Sequence, residues 1–201
     1  MRAILLAGLA VASIAIAPAA VAQVSTDPTT VQAGTYALET HHARIAFAID
    51  HMGFSTWYGD FTGATGSLAI DPKNVAAAKL DVTFPTASIS TTNATLDGEL
   101  KSADWFDAGK FPTATYKSTS VVATGKDTAK VTGDLTLHGV TRPVTLDVKF
   151  HGAGTNMMSK AYTIGFDATG TLKRSDFGVT KYVPMIGDEV RIVISAPFEK
   201  K

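Results

Sequence analysis

Along most of the chain, apolar and polar residues alternate with a period of two, in unusually long rows. In the segment ARIAFAIDH, Ile45, Phe47, Ile49 and His51 fall on one face, while Arg44, Ala46, Ala48 and Asp50 fall on the other. The same alternation aligns Leu80, Val82 and Phe84; Val131, Gly133, Leu135 and Leu137; Val144, Leu146, Val148 and Phe150; and Val190, Ile192, Ile194, Ala196 and Phe198. Successive side chains of a strand point to opposite faces, so such rows read as antiparallel strands with one dry and one wet side. The longest row runs from Tyr162 through Ile164, Phe166, Ala168, Gly170 and Leu172 to Arg174, placing a guanidinium in phase with an apolar face. Two weaker strand candidates are WYGDFTGATGSLAI and TATYKSTSVVA, the first so rich in glycine that bends or bulges are expected in it.

One segment breaks the alternation. In TTNATLDGELKSADWFDAGKFP, Asn93 or Thr95 can cap a short helix, and Leu96 and Leu100 are spaced to share a face. Trp105, Phe106 and Phe111 follow before Pro112 stops the segment. A helix this short holds only when packed on something. LHGVTRPV places Gly139 and Pro143 between two apolar rows, which should therefore form a hairpin. About eight strands with one buried face and one helical insertion leave two architectures, a sandwich and a closed barrel. Rows of ten to thirteen residues, long beside the usual roughly five or six, together with glycine bends, favour the strongly curved barrel. The interior of an eight-stranded barrel is either filled by its own side chains or holds one slender ligand.

The 201 residues suit one domain. Residues 1–22, MRAILLAGLAVASIAIAPAAVA, have a basic start at Arg2, an apolar run from Ala3 to Ala17 and a small-x-small end at Ala20-Val21-Ala22. This is the pattern of a secretory signal peptide, and the run is shorter than the roughly 18 residues a span requires. Cleavage after Ala22 is expected, leaving one domain over 23–201 and no membrane span. Of the 18 basic and 18 acidic side chains only Arg2 is lost with the leader, so the remainder is near neutral. Such a balance invites neither nucleic acid nor another polyanion. With no cysteine in the chain, no disulfide or thiolate metal site is possible, and the core must hold the fold alone.

Conventional catalytic signatures are absent: there is no nucleophile elbow, phosphate loop or His-Glu-x-x-His. The histidines at 41, 42, 51, 138 and 151 lack a recurrent ligand spacing, so neither a metal nor another cofactor is expected. Two inward rows end in polar groups, His51 and Arg174. A buried charge without a partner is costly, so Arg174 should lie at a water-accessible mouth or meet an anion. The plainer alternative is that it pairs with a nearby carboxylate such as Asp176 and merely closes the barrel. Phe47, Phe61, Phe84, Leu135, Leu146, Phe166 and Ile192 are the candidates for an interior wall.

Four blocks occurring in order, YALETHHARIAFAIDHMGFSTWYGDFTGATGSLAID, LKSADWFDAGKFPTATYKS, VTGDLTLHGVTRPVTLDV and KRSDFG, resemble the YceI family of bacterial secreted proteins over nearly the whole chain after the leader. The resemblance implies an all-β fold, an extended eight-stranded antiparallel barrel shaped like a lipocalin, with a short helix packed against it. It further implies a periplasmic location, often a homodimer, and a long pocket for an isoprenoid or another long-chain amphiphile, quinone-like and fatty amide ligands included. At about 0.8 kcal/mol per buried CH2-sized group, a five-carbon isoprene unit contributes roughly 4 kcal/mol, and eight units roughly 30 before costs. That exceeds the practical ceiling of about 18 to 21 kcal/mol, so ordering the chain must absorb much of it. The function expected is carriage or storage of such a lipid without catalysis, with His51 and Arg174 orienting its head group and Asp176 or His51 holding the guanidinium when no ligand is bound. The alternatives are a structural or stress-response barrel with a dry interior and, third, an enzyme acting on a lipid head group with His51 as its acid or base.

Overall fold

The computed structural model describes residues 24–201. The expected export segment, 1–22, lies outside the described residues. Ten strand segments form one antiparallel sheet: β1 (Gly34–Leu38), β2 (Arg44–His51), β3 (Ser55–Phe61), β4 (Thr65–Ile70), β5 (Lys79–Pro85), β6 (Thr113–Ala123), β7 (Thr128–Leu137), β8 (Val140–Thr155), β9 (Tyr162–Lys173) and β10 (Ile186–Lys200). The sheet runs β1-β4-β5-β6-β7-β8-β9-β10 and closes because β10 also pairs with β1. The two remaining segments are continuations. β1 and β2 lie end to end along β10, β1 on Phe198–Lys200 and β2 on Ser195–Ile186. β3 and β4 lie end to end along β2 and β1 in turn. The result is a closed antiparallel barrel of eight staves, two of them interrupted.

Both interruptions have local causes. At the first, Glu39 turns the chain by accepting hydrogen bonds from the backbone N–H groups of His41 and His42, while its own N–H donates to Pro197 O. At the second, Gly63 takes φ +69°, outside the range of an ordinary strand residue. The long alternating rows point as their period dictates. In β9, Ile164 and Ala168 are buried and Phe166, Gly170 and Leu172 half-buried, whereas Asp167, Thr169, Thr171 and Lys173 are exposed. Arg174 lies one residue past β9, at the start of a 3-10 turn (Arg174–Phe177), and keeps the inward phase of the row.

The β7–β8 hairpin turns at His138 and Gly139, which have φ +51° and +74° as a two-residue hairpin requires. A side chain at Gly139 would also place its Cβ 2.5 Å from the Phe111 ring. Pro143, expected in this turn, instead lies inside β8 opposite Asp134. Counting from the hydrogen-bonded pair that flanks the turn, its nitrogen points away from β7, toward a side where pairing with β9 begins only at Asp147. No ladder bond is lost there.

The one α-helix among the described residues, α1 (Ala94–Lys101), begins at Asn93, whose side chain accepts from the N–H groups of Thr95 and Leu96. Leu100 is buried and Leu96 half-buried against the barrel, as their spacing predicts. Past the helix, Trp105 is buried beside Arg174, and Phe106 packs edge-on against Phe61 with ring centroids 5.5 Å apart. The insertion thus covers the barrel end where β9 finishes and β10 starts. Among the described residues, no helix is long and apolar enough to cross a membrane.

Candidate ligand cavity

The barrel is not filled by its own side chains. A cavity of about 780 Å³ runs along it, from Arg174 and Val179 at the end covered by α1 to Val75, Val121 and Ala129 toward the other. Ile49, Val190 and Ile192 face this space and stay only half-buried although they point inward. In a packed barrel they would be sealed by neighbours from the opposite wall.

All seven expected wall residues line the cavity, but in two different settings. Phe61, Phe84, Leu135 and Leu146 are buried. Phe61 is wedged among three rings, with centroid distances of 5.9 Å to Phe47, 5.1 Å to Phe84 and 5.5 Å to Phe106. Phe47, Phe166 and Ile192 are half-buried and present open surface to the cavity. Phe166 has one ring neighbour on each flanking strand, Phe150 of β8 at 5.7 Å and Phe198 of β10 at 6.2 Å, and its inner face is left to the cavity.

The two expected head-group residues lie at the same end. His51 pairs in register with Ile186, lines the cavity and packs its ring 5.5 Å from that of Trp57. Arg174 is 5% exposed, and its surroundings correct both sequence-based expectations for its partner. Neither Asp176, which is exposed, nor His51 holds it. Its Nε donates to Gly187 O at 2.9 Å, one terminal nitrogen to Val179 O at 2.8 Å and the other to Ile186 O at 2.9 Å. The guanidinium lies 5.3 Å from the centre of the Trp105 ring. Three backbone carbonyls and an aromatic face thus take the place of an anion. The side chain ties the turn after β9 to the start of β10.

Burial pulls the Arg174 pKa below its ordinary value, and the nearby Asp188 carboxylate opposes that pull. Asp188 itself accepts from both the N–H and the hydroxyl of Ser175, at 2.9 and 2.7 Å. Burial raises its pKa, but these bonds and Arg174 outweigh that and hold it below the usual carboxylate range. Of the five guanidinium N–H groups, three are committed to carbonyls, and the side chain borders the cavity.

Sequence reasoning missed three contributors. Tyr116 lines the middle of the cavity, and its hydroxyl lies 2.9 Å from Val131 O and 3.1 Å from Val144 O. Burial, with a smaller contribution from Asp134, pushes its phenol up to about 12. The space for its ring comes from Gly133, where a Cβ would sit 2.5 Å from Tyr116 Cζ. The alternation of Ala114 and Tyr116 in TATYKSTSVVA carried that signal. Trp105 and Tyr182, with ring centroids 6.1 Å apart, border the Arg174 end from two separate loops, a meeting no local pattern announces.

Comparison with known proteins places this geometry. The YceI-like domain matches residues 36–198. A UPF0312 protein of Ectopseudomonas mendocina is 42% identical over 165 residues, 81% of this chain and 86% of that protein. Among solved structures, Burkholderia cenocepacia BcnA superimposes with a TM-score of 0.72 at 26% identity, covering 80% of this chain and 98% of that one. A polyisoprenoid binding domain from Saccharophagus degradans, implicated in plant cell wall breakdown, shares the fold with a TM-score of 0.61 at 15% identity, covering 83% of this chain and 98% of that one. With the domain match spanning the barrel from β1 to β10 and the relative aligned over most of both chains, this protein belongs to the YceI-like family.

Proposed function

We propose that this protein carries or stores one long-chain amphiphile, an isoprenoid or a quinone-like or fatty amide relative, in the periplasm, after export directed by residues 1–22. It does so without catalysis. The observation that carries the reading is the cavity itself: inward residues such as Ile49, Val190 and Ile192 stay half-buried around about 780 Å³ of apolar space. The volume falls within the range of small-molecule sites. The S. degradans domain of the same fold, described as polyisoprenoid binding, lends support.

In this reading the chain of the lipid lies along Phe47, Phe166 and Ile192, and burial of its methylenes supplies most of the affinity. Phe61, Phe84, Leu135 and Leu146 form the firmer part of the wall. The polar head lies at the α1 end, where His51 and the uncommitted N–H groups of Arg174 can meet a phosphate or carbonyl oxygen.

Native mass spectrometry of protein purified from its own host without detergent tests the proposal. A co-purifying mass removed by organic extraction and restored by a long-chain isoprenoid is the expected result. An apo mass with no uptake of any long-chain lipid would favour the structural or stress-response barrel.

A further inference from the structure

Among the described residues, exposed large apolar side chains include Tyr58 in β3 and Met157 and Met158 in the β8–β9 turn, but four others gather at one end of the barrel. Phe54 is 88% exposed, Met52 50%, Tyr182 49% and Met185 58%. They belong to two loops at the α1 end of the barrel, the β2–β3 turn and the segment leading into β10. The loops are joined by a hydrogen bond from Met52 N–H to Met185 O at 3.0 Å. Met52, Tyr182 and Met185 also line the cavity, so apolar surface continues without a break from the interior to the outside.

We propose that this rim seats on a lipid bilayer, with Phe54 as its outermost anchor, so that an amphiphile passes between membrane and cavity without crossing water. The inference rests on the lipid-carrier reading and adds a docking surface to it. Two features select a lipid surface as the occupant. The first is continuity: three of the four outward-facing side chains, Met52, Tyr182 and Met185, also border the mouth, where an insoluble cargo must enter or leave. The second is charge. Asp50 and Asp188 flank the two loops, near the end of β2 and the start of β10, and the loops' one lysine, Lys181, is held 2.8 Å from Asp104. With no free basic cluster, the rim suits an uncharged or zwitterionic surface, which it enters through Phe, Met and Tyr side chains.

The test measures partition of the leader-free chain onto phosphatidylcholine vesicles by flotation. Phe54→Ser changes a residue outside the cavity lining. Met158→Ser is the matched control, since Met158 is 90% exposed in the β8–β9 turn at the opposite end of the barrel. Wild type and Met158→Ser should float alike, while Phe54→Ser should bind about tenfold more weakly, as expected for a bulky apolar side chain only partly inserted. Phe54→Leu should restore most of the binding. Uptake of detergent-dispersed geranylgeraniol, followed by native mass spectrometry, should be the same in Phe54→Ser and wild type. Failure of wild type to float, or equal loss in Phe54→Ser and Met158→Ser, would overturn the proposal. So would sedimentation showing a wild-type dimer that Phe54→Ser dissociates, since the patch would then belong to a second copy. Absence of geranylgeraniol uptake by wild type would instead count against the carrier reading, whatever the vesicles show.

Discussion

Replacing Arg174 separates two roles that its position combines. Arg174→Ala leaves three carbonyls, those of Val179, Ile186 and Gly187, without the donors that now satisfy them. An acceptor left unsatisfied by such a change costs about 1 to 3 kcal/mol, but water from the cavity can reach part of this site and the cost of desolvating a guanidinium disappears. A net loss of about 3 kcal/mol follows, equivalent to about 6 to 12 °C in Tm for a domain of this size. Arg174→Lys keeps the charge but not the planar fork and should lose about half as much. Lys173→Ala alters an exposed side chain half a period away and should stay within about 0.5 kcal/mol. Urea unfolding followed by tryptophan fluorescence suits the question, because Trp105 lies against the guanidinium. An Arg174→Ala protein as stable as wild type would refute the reading that the side chain ties the turn after β9 to β10. The ligand arm uses the same proteins well below their unfolding midpoints. If the free N–H groups receive a head group, Arg174→Ala should weaken a phosphorylated isoprenoid by about 1.5 to 3 kcal/mol more than the alcohol of equal length. Equal effects at Lys173 and Arg174, or none at either, would leave the arginine a purely structural closure.

The two settings of the cavity wall should respond differently to truncation. Phe61→Ala, wedged among three rings, should cost about 3 to 5 kcal/mol in urea unfolding. Phe166→Ala should cost about half that in lipid-free protein and chiefly lower lipid affinity, and a larger stability loss with unchanged binding would contradict its place on the open wall. Tyr116 makes stability sensitive to alkali: its phenol is protonated in both states below pH 10, but between 10 and about 12 only the unfolded chain ionises, so stability falls as pH rises through that window. Tyr36, also pushed up to about 12 by burial, acts in the same sense, so Tyr116→Phe should remove only one of the late-titrating phenols seen by absorbance at alkaline pH. Intact mass of the exported protein should begin at Gln23, and uncleaved chain in the membrane fraction would contradict the proposed leader.

What could be read ahead of the structure depends on how local each cause is. Alternation is a property of neighbours in the chain, so the inward rows of β2, β5, β7, β8, β9 and β10 were legible, and so was the phase that turns Arg174 inward and Lys173 outward. The same holds for the Asn93 cap, which needs only the two N–H groups that follow it. β1 was hidden because five residues, Gly34–Leu38, make too short a row to stand out. The partners of Arg174 were hidden for a different reason. Backbone carbonyls have no side-chain signature, and two of the three come from residues 12 and 13 positions further on, so sequence reasoning could offer only the carboxylate and the imidazole it could see. Pro143 misled in a related way: a proline reads as a turn unless it is known that its nitrogen faces an unpaired side of the strand. The deepest limit concerns the wall. Phe61, offered by GDFTG, and Phe166, offered by its alternating row, are equal candidates for the wall, yet one is buried among three rings while the other stays half-buried with a face open to the cavity. That difference is set by the curvature of the whole barrel, which eight staves establish together. It follows that the candidates for lipid contact could be named from the sequence, whereas which of them a ligand touches and which only hold the wall depends on the closed structure.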